Sequence, residues 1–185
     1  ISFPLALSAQ SAEDVLQKVS VAMTAEQWEQ AVSLFRQAIQ LNADKSEMFY
    51  WTSVDKASSV GTKMAQELAF HYKTMRNYDK AYLFCKEVLQ KNPNDVKWLA
   101  ACAETEVCRG KEKDALLTYQ KVLSLDVNHL AANIFVGNYY YLMAEQEKQQ
   151  LMRDYKKISS PTRMQYARYK DGLSKLMTDG YGKAK

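Results

Sequence analysis

The residues of this sequence that could carry chemistry are two histidines, three cysteines and a spread of carboxylates. His71 and His129 are far apart, and neither has a second histidine or a carboxylate at the spacing that a zinc site uses. Glu104 and Glu106 are two residues apart, so on a helix they point to different faces. The sequence has no glycine-rich phosphate loop and no Gly-x-Ser-x-Gly motif. It therefore predicts a protein that is not an enzyme, with no metal site and no cofactor.

The elements that must position any binding site are predicted to be helices. The chain of 185 residues is 47% hydrophobic but has only 6 Gly and 3 Pro. Such a composition favours helix and supplies enough apolar residues for a core. No strand-like alternation is present, and no apolar run is long enough to span a membrane. We expect one elongated all-α domain.

Positive charge is concentrated at the C-terminal end. From residue 153 onward there are nine Lys or Arg against three Asp, a net charge of +6, so the preceding residues carry −2 of the total of +4. This basic end is interpreted either as a solvated face or as a ligand site. Nucleic acid is not an expected partner, because no recognition motif accompanies the charge.

One pattern of small and large apolar residues recurs along the chain. In residues 62–95 it places Ala65, Leu68 and Tyr72 on one helical face and Ala81 on the next, and Pro93 closes the unit. The same slots return 34 residues later, where they hold Leu99, Cys102, Ala103, Glu106, Ala115, Tyr119 and Val122. An earlier copy precedes the second half of the pattern by fifty residues and holds Trp28, Ala31, Phe35 and Ala38. Each unit indicates two amphipathic helices and a stop.

This pattern resembles the tetratricopeptide repeat (TPR), a 34-residue helix-turn-helix. The resemblance implies a right-handed α-α superhelix, or solenoid, of about four hairpins at residues 11–43, 62–95, 96–129 and 130–158. The fourth hairpin requires a turn near residues 144–146. A capping helix at residues 161–178 is expected to cover the last repeat, followed by a flexible tail at residues 179–185.

The spacing of fifty leaves an insertion at residues 44–61, which contains the aromatic residues Phe49, Tyr50 and Trp51. The segment either extends the next helix backward or forms a short helix of its own. Its aromatic side chains either fill a gap between the first two repeats or form an aromatic lip on a ligand groove.

The resemblance also implies a concave groove, which in this family is lined by the first helices of successive hairpins. The family's groove positions give the candidates Lys63, Gln66, Phe70, Lys73, Lys97, Glu104, Ile134, Asn138 and Tyr141. Tyr140 is assigned to the core. Some family members hold C-terminal carboxylates with a clamp of Lys, Asn and Arg. That clamp is not expected here, because Gln66 and Phe70 occupy the positions of its first Lys and its Asn. A groove that mixes apolar contacts and donors suits a protein or peptide partner.

Two slots of the repeat raise separate questions. Glu106 stands where the family usually has a packed Tyr, and it is expected to reach the surface or to pair with Arg109, with a ligand role as the alternative. Cys102 and Cys108 are about 9 Å apart along one helix, too far for a disulfide. Cys85 and Cys102 occupy facing core slots, so they either form a disulfide in an oxidising compartment or serve as small apolar residues.

Residues 1–9 are apolar and then small, which resembles the end of a secretory signal peptide, with a disordered N-terminus as the alternative. The chain is thus similar to exported bacterial TPR proteins, and a periplasmic or secreted location is expected, or a cytoplasmic one if this segment is misread. The predicted function is a non-enzymatic scaffold or adaptor for a protein or peptide. The alternative is a structural protein that associates with copies of itself.

Overall fold

The computed structural model describes residues 10–184, so the apolar start at residues 1–9 that predicts a signal peptide lies outside the described residues. Within this range the chain forms nine α-helices and no strand. The helices are α1 (Ala12–Thr24), α2 (Trp28–Leu41), α3 (Ala43–Ser53), α4 (Ser59–Thr74), α5 (Tyr78–Lys91), α6 (Val96–Cys108), α7 (Glu112–Leu125), α8 (Leu130–Lys156) and α9 (Arg163–Lys175). A π-helical turn (Leu176–Gly180) and a 3₁₀ turn (Tyr181–Ala184) follow. The described part of the chain divides into two compact units, unit 1 up to residue 111 and unit 2 from residue 112 onward.

The same turn ends three helices at the spacing of the sequence repeat. Glu26, Arg76 and Gly110 each adopt a positive φ, of 57°, 58° and 71°. The next residue in each turn donates its backbone N–H to the carbonyl five residues earlier, in the pairs Gln27–Ala22, Asn77–Tyr72 and Lys111–Glu106 at 2.8 to 2.9 Å. A residue with positive φ followed by this hydrogen bond to the carbonyl five residues earlier is the Schellman motif, which ends a helix. Its recurrence after 50 and 34 residues confirms that the chain is built from repeated helical hairpins, the fold that the resemblance predicts.

Unit 1 is a series of packed helices around a continuous apolar core. α1 packs on α2, α2 on α4, α4 on α5, and α5 on α6. The small residues Ala31 and Ala81 occupy equivalent slots and are both fully buried, as the repeat predicts. Large side chains fill the space around them, and the fully buried ones include Phe35, Met64, Leu68 and Phe84. Each such side chain contributes about 1.5–3 kcal/mol through burial.

The insertion forms a separate short helix, α3, whose aromatic residues join the first two hairpins. Tyr50 is only 1% exposed, and its ring centroid lies 5.6 Å from that of Phe84 on α5. The expectation that Tyr50 belongs to an aromatic lip is therefore wrong, because its ring fills the core. Phe49 contacts Phe35 on α2 at 6.2 Å between centroids, and Trp51 stacks on Phe84 at 5.5 Å. The structure thus supports the alternative, in which the insertion fills a gap between repeats.

A polar network also fastens α3 to the second hairpin. The Lys80 ammonium group donates hydrogen bonds to Asp44 at 3.1 Å, to Glu47 at 2.8 Å and to the Tyr72 hydroxyl at 3.3 Å. The Tyr72 hydroxyl donates to Glu47 in turn. These contacts raise the pKa of Lys80, chiefly through its bond to Glu47, so Lys80 is charged at neutral pH. Helices α3, α4 and α5 therefore meet at a shared network as well as at the aromatic core.

Unit 2 differs from the predicted fourth hairpin, because α8 runs without a break for 27 residues. The prediction of a turn near residues 144–146 is wrong. Ala144, Glu145 and Gln146 are all good helix formers, and none is a Gly, Asn or Pro that would end the helix. Ala144 is buried, so the helix also packs through the predicted turn. Ala115, the counterpart of Ala81, belongs to this unit and is fully buried.

The end of the chain packs on α8. The predicted capping helix is present as α9, which contacts α8, and the two turns after it also contact α8. The Tyr181 hydroxyl donates a hydrogen bond to Glu145, and its ring centroid lies 5.6 Å from that of Tyr141. The prediction of a flexible tail is therefore wrong for residues 179–184. A tyrosine between two glycines gives this segment an anchor that its polar composition did not indicate.

Candidate functional site

The feature of unit 1 that brings helices together around a partly apolar space is an open cavity of about 610 Å³ between α2, α4, α5 and α6. Its buried lining comes from Ile39, Ala69 and Cys85. Trp98 and Ala101 on α6 extend the apolar lining. Small side chains at Ala69, Cys85 and Ala101 leave room that larger residues would fill. The space of the cavity thus follows from the size of these side chains.

Phe70 is the main apolar residue presented to solvent at this cavity. It lies on α4, lines the cavity and is 70% exposed. A Phe side chain buries a large apolar area on binding and has few rotatable bonds, so it loses little entropy. Phe70 is therefore the strongest candidate for an anchor to a partner.

Ion pairs between neighbouring helices neutralise most of the charge near the cavity. Arg36 on α2 binds the Glu67 carboxylate on α4 with two hydrogen bonds of 2.7 and 2.6 Å. Lys73 on α4 pairs with Glu104 on α6 at 2.6 Å, and Lys63 pairs with Glu29 at 3.3 Å. Exposed pairs of this kind add little stability, but they hold the side chains in place.

Lys97 is the exception among these cations. It lies on α6, lines the cavity and is exposed. Among the described residues it makes no ion pair and no hydrogen bond. Its ammonium group therefore keeps three free donors beside the apolar lining.

The structure brings together four of the groove candidates named from sequence, Gln66, Phe70, Lys73 and Lys97, as lining of one cavity. Lys63 and Glu104 form the ion pairs described above. Ile134, Asn138 and Tyr141 are exposed on α8 in unit 2. Tyr140, assigned to the core from sequence, is half-buried, and its hydroxyl accepts a hydrogen bond from Gln120 at 2.9 Å. None of the insertion aromatics lines the cavity.

Sequence reasoning missed several residues of the cavity lining, and Arg36 and Trp98 show why. Arg36 lies on α2, the second helix of its hairpin, whereas the family pattern names positions on first helices only. Trp98 lies on α6 between two named positions. A charged residue of opposite sign about one repeat away, as Glu67 is from Arg36, is a signal that could have indicated the first of these.

The ionisable groups at the cavity do not support catalysis. Burial lowers the pKa of His71, which lines the cavity, so its imidazole is neutral at pH 7. Burial raises the pKa of Cys85 to about 11 and that of Cys102 to about 12, so neither thiol is a ready nucleophile. Both cysteines are free, with no disulfide between them. Within residues 10–184 no group of three His, Cys, Asp or Glu side chains could hold a metal ion.

Glu106 is buried, contrary to the expectation that it reaches the surface. It is 4% exposed, and its Oε2 atom has no hydrogen-bond partner. Arg109, its expected partner, instead binds Asp79 at 2.7 Å and lies 4.4 Å from the ring of Tyr82. The repeat pattern places this position in the packed interior. The helix therefore buries Glu106 there, although its side chain is polar.

In the part of the chain that the structure describes, no helix is long and apolar enough to cross a bilayer. Neither a comparison with models of known protein families nor one with functionally described proteins finds a match.

Among solved structures, a crystal structure from Bacteroides ovatus, of a protein described provisionally as a protein binding protein, is 65% identical with a TM-score of 0.85. The match covers 95% of this chain and 85% of that one. The Arabidopsis OM64 TPR domain is 18% identical at a TM-score of 0.40, over 68% of this chain and 90% of that one. The first TPR of Spaghetti (RPAP3), bound to an HSP90 peptide, is 15% identical with a TM-score of 0.38. That match covers 69% of this chain and 89% of the other. The last two similarities are too low to carry an argument, so the repeat type rests on the 34-residue recurrence.

Proposed function

Because this chain belongs to the same protein family as the Bacteroides ovatus protein, we propose that it is a non-enzymatic protein-binding scaffold whose unit 1 cavity takes a peptide segment of its partner. The description of that relative as a protein binding protein supports the function class. The observation that carries the proposal is the exposed Phe70 at the edge of a ready-made, partly apolar cavity.

The charges around the cavity favour a particular kind of peptide. Arg36 and Lys73 are already paired with carboxylates of the scaffold, so a highly acidic ligand would have to break those pairs. Lys97 is free to bind one acceptor. We therefore propose a segment with an apolar side chain against Phe70 and Trp98, and one carboxylate or carbonyl group near Lys97. The expected absence of the family's carboxylate clamp agrees with this mixed character.

The mechanism is recognition by a preformed surface. The Schellman turns and the ion pairs from α2 to α4 and from α4 to α6 hold the lining helices before the partner arrives. The scaffold then loses little conformational entropy on binding, so more of the free energy of the contacts contributes to affinity.

Selection from a displayed library of random peptides tests this proposal, because the partner is not needed in advance. We expect the selected peptides to be enriched in apolar residues with one acidic residue, and to bind Phe70→Ala at least about tenfold more weakly. Lys97→Gln should weaken the same peptides about threefold to tenfold. Val21→Ala is the matched control, since Val21 is also an exposed apolar residue but lies on α1 outside the cavity. Equal binding by wild type and Phe70→Ala would remove the cavity as the site.

A second candidate function is self-association. It is favoured by apolar residues that α8 exposes, namely Leu130, Ile134 and Leu142. Light scattering over a concentration series distinguishes the two, because a protein that stays monomeric throughout contradicts self-association.

We also propose, from the sequence of residues 1–9 alone, that the protein is exported to the periplasm or secreted. Recovery in the cytoplasmic fraction of the source cell would contradict this location.

A further inference from the structure

We propose that α9, together with the end of α8, binds the surface of an anionic lipid bilayer, chiefly through the cations of α9. The two segments carry seven cations, Arg153, Lys156, Lys157, Arg163, Arg168, Lys170 and Lys175, all of them exposed. Within residues 153–184 only Lys157 has an ion-pair partner, Asp154, at 3.0 Å. The charge of these segments is therefore not neutralised by ion pairs, unlike that around the unit 1 cavity.

The packing of α9 leaves its charged sides free. Tyr169 stacks on Tyr155 of α8, with centroids 4.3 Å apart and planes at 10°. Gly172 faces Leu151 of α8, whose Cδ2 atom would lie 2.8 Å from an added Cβ. These two contacts fix the inner side of α9, and no residue of α9 is fully buried. Arg163, Arg168 and Lys175 consequently point to solvent from the remaining sides of the helix.

Exposed apolar side chains lie among these cations. Met164 is 65% exposed, Met177 is 67% exposed and Tyr166 is 50% exposed. The Lys170 ammonium group lies 5.9 Å from the centre of the Tyr166 ring. Apolar tips beside long cationic side chains suit the boundary between headgroups and acyl chains, where Lys and Arg reach the phosphates and Met and Tyr enter the boundary.

The same residues suit nucleic acid less well. Tyr155 and Tyr169 stack on each other, so neither ring is free to stack on a base. Met164 and Met177 offer no hydrogen-bond donor to a phosphate or a base edge. Asp171, exposed on the outer side of α9, would repel a nucleic-acid phosphate held tightly against this helix. A lipid surface is more tolerant, because its headgroups can move.

The test is co-sedimentation of the full chain with vesicles at low salt. We expect binding to phosphatidylcholine vesicles that contain about one third phosphatidylglycerol, no binding to pure phosphatidylcholine, and weaker binding as salt is added. Changing Arg163, Arg168, Lys170 and Lys175 together to Gln should lower the affinity at least about tenfold, because each cation near such a surface is worth about fivefold.

The matched control changes Lys18, Lys86, Lys91 and Lys113 to Gln. These four residues are exposed and lie on other helices, so the loss of net charge is the same. The control should keep nearly all of the binding. An equal loss in both variants would show attraction by net charge alone and would overturn the proposal.

Two further arms test the identity of the partner. Met164→Ser with Met177→Ser should weaken vesicle binding severalfold while the charges remain, and unchanged binding would contradict a lipid contact. Tighter binding to a single-stranded oligonucleotide or to polyglutamate than to the vesicles would overturn the lipid assignment in favour of that polymer. The outcome is independent of the unit 1 cavity, since Phe70→Ala should not alter vesicle binding.

Discussion

Gly61 should be the least replaceable glycine in the described part of the chain, because it lets the loop after α3 cross the first turn of α4. A Cβ atom at Gly61 would overlap the carbonyl oxygen of Asp55 and lie 3.0 Å from the Cα atom of Lys56. Both neighbours are backbone atoms, so no rotation of a side chain can relieve the overlap. The loop or the helix must move instead.

The loop cannot move without losing hydrogen bonds. The Asp55 carbonyl accepts the backbone N–H and the hydroxyl of Ser58, and the Ser58 hydroxyl in turn caps α4 by accepting the Gly61 N–H at 2.9 Å. Loss of such a cap costs about 1 kcal/mol, and overpacking costs about 1–3 kcal/mol. Gly61→Ala should therefore lower the free energy of unfolding by about 2–4 kcal/mol.

Urea unfolding followed by circular dichroism measures this loss, and two other glycines serve as controls. An added Cβ would have no neighbour within 4 Å at Gly110 or at Gly182, but only Gly110 has a positive φ. Gly110→Ala should cost about 1 kcal/mol, and Gly182→Ala should change stability by less than about 0.5 kcal/mol. If Gly61→Ala is no more destabilising than Gly110→Ala, the close approach of this loop to α4 is wrong.

Three further predictions concern buried groups. Burial raises the pKa of Tyr50 to about 12, so between pH 10 and 12 the unfolded chain loses this proton while the folded chain keeps it. The free energy of unfolding should therefore fall over that range, and it should fall less in Tyr50→Phe. Urea midpoints measured at each pH test this prediction. In the native protein at pH 8, a maleimide reagent should label the exposed Cys108 within minutes, whereas buried Cys85 and Cys102 should react only after denaturation, as mass spectrometry would show. Glu106→Gln replaces a carboxyl group that has a buried, unpartnered oxygen with an amide, which costs less to bury, and should raise the free energy of unfolding by about 1 kcal/mol; a destabilised variant would reveal a partner for that oxygen.

The sequence was most informative where a residue type at a fixed spacing determines the local structure. The repeat of small and large residues correctly placed Ala31, Ala81 and Ala115 in buried slots, since a close approach of helices needs a small side chain at the same point each time. The turn at Gly110 could be predicted because Gly favours a positive φ. The equivalent turns at Glu26 and Arg76 carry no such residue, and only the repeat spacing indicates them.

The failures arose where a tertiary contact decides the structure. The repeat predicted a break in α8, but the local sequence of that segment favours helix and Ala144 packs within unit 2. The tail was predicted to be flexible from its glycines and charges, yet Tyr181 anchors it to Glu145. For the candidate site, Gln66, Phe70, Lys73 and Lys97 followed from family positions. Arg36 could not be predicted, because its place at the cavity depends on the packing of α2 against α4.

Tyr72 and Glu106 occupy the same position in two successive repeats. Comparing them explains both the inserted helix α3 and the unpartnered oxygen of Glu106. Tyr72 fills this position in the second hairpin, and its hydroxyl donates a hydrogen bond to Glu47 on α3. No inserted helix precedes α6, and there the slot holds Glu106 with one oxygen unpartnered. Because a buried polar tip needs a partner, a Tyr in this slot and an inserted helix that supplies a carboxylate support each other. The inserted helix therefore completes the polar contacts of the second hairpin, while its aromatic residues complete the core.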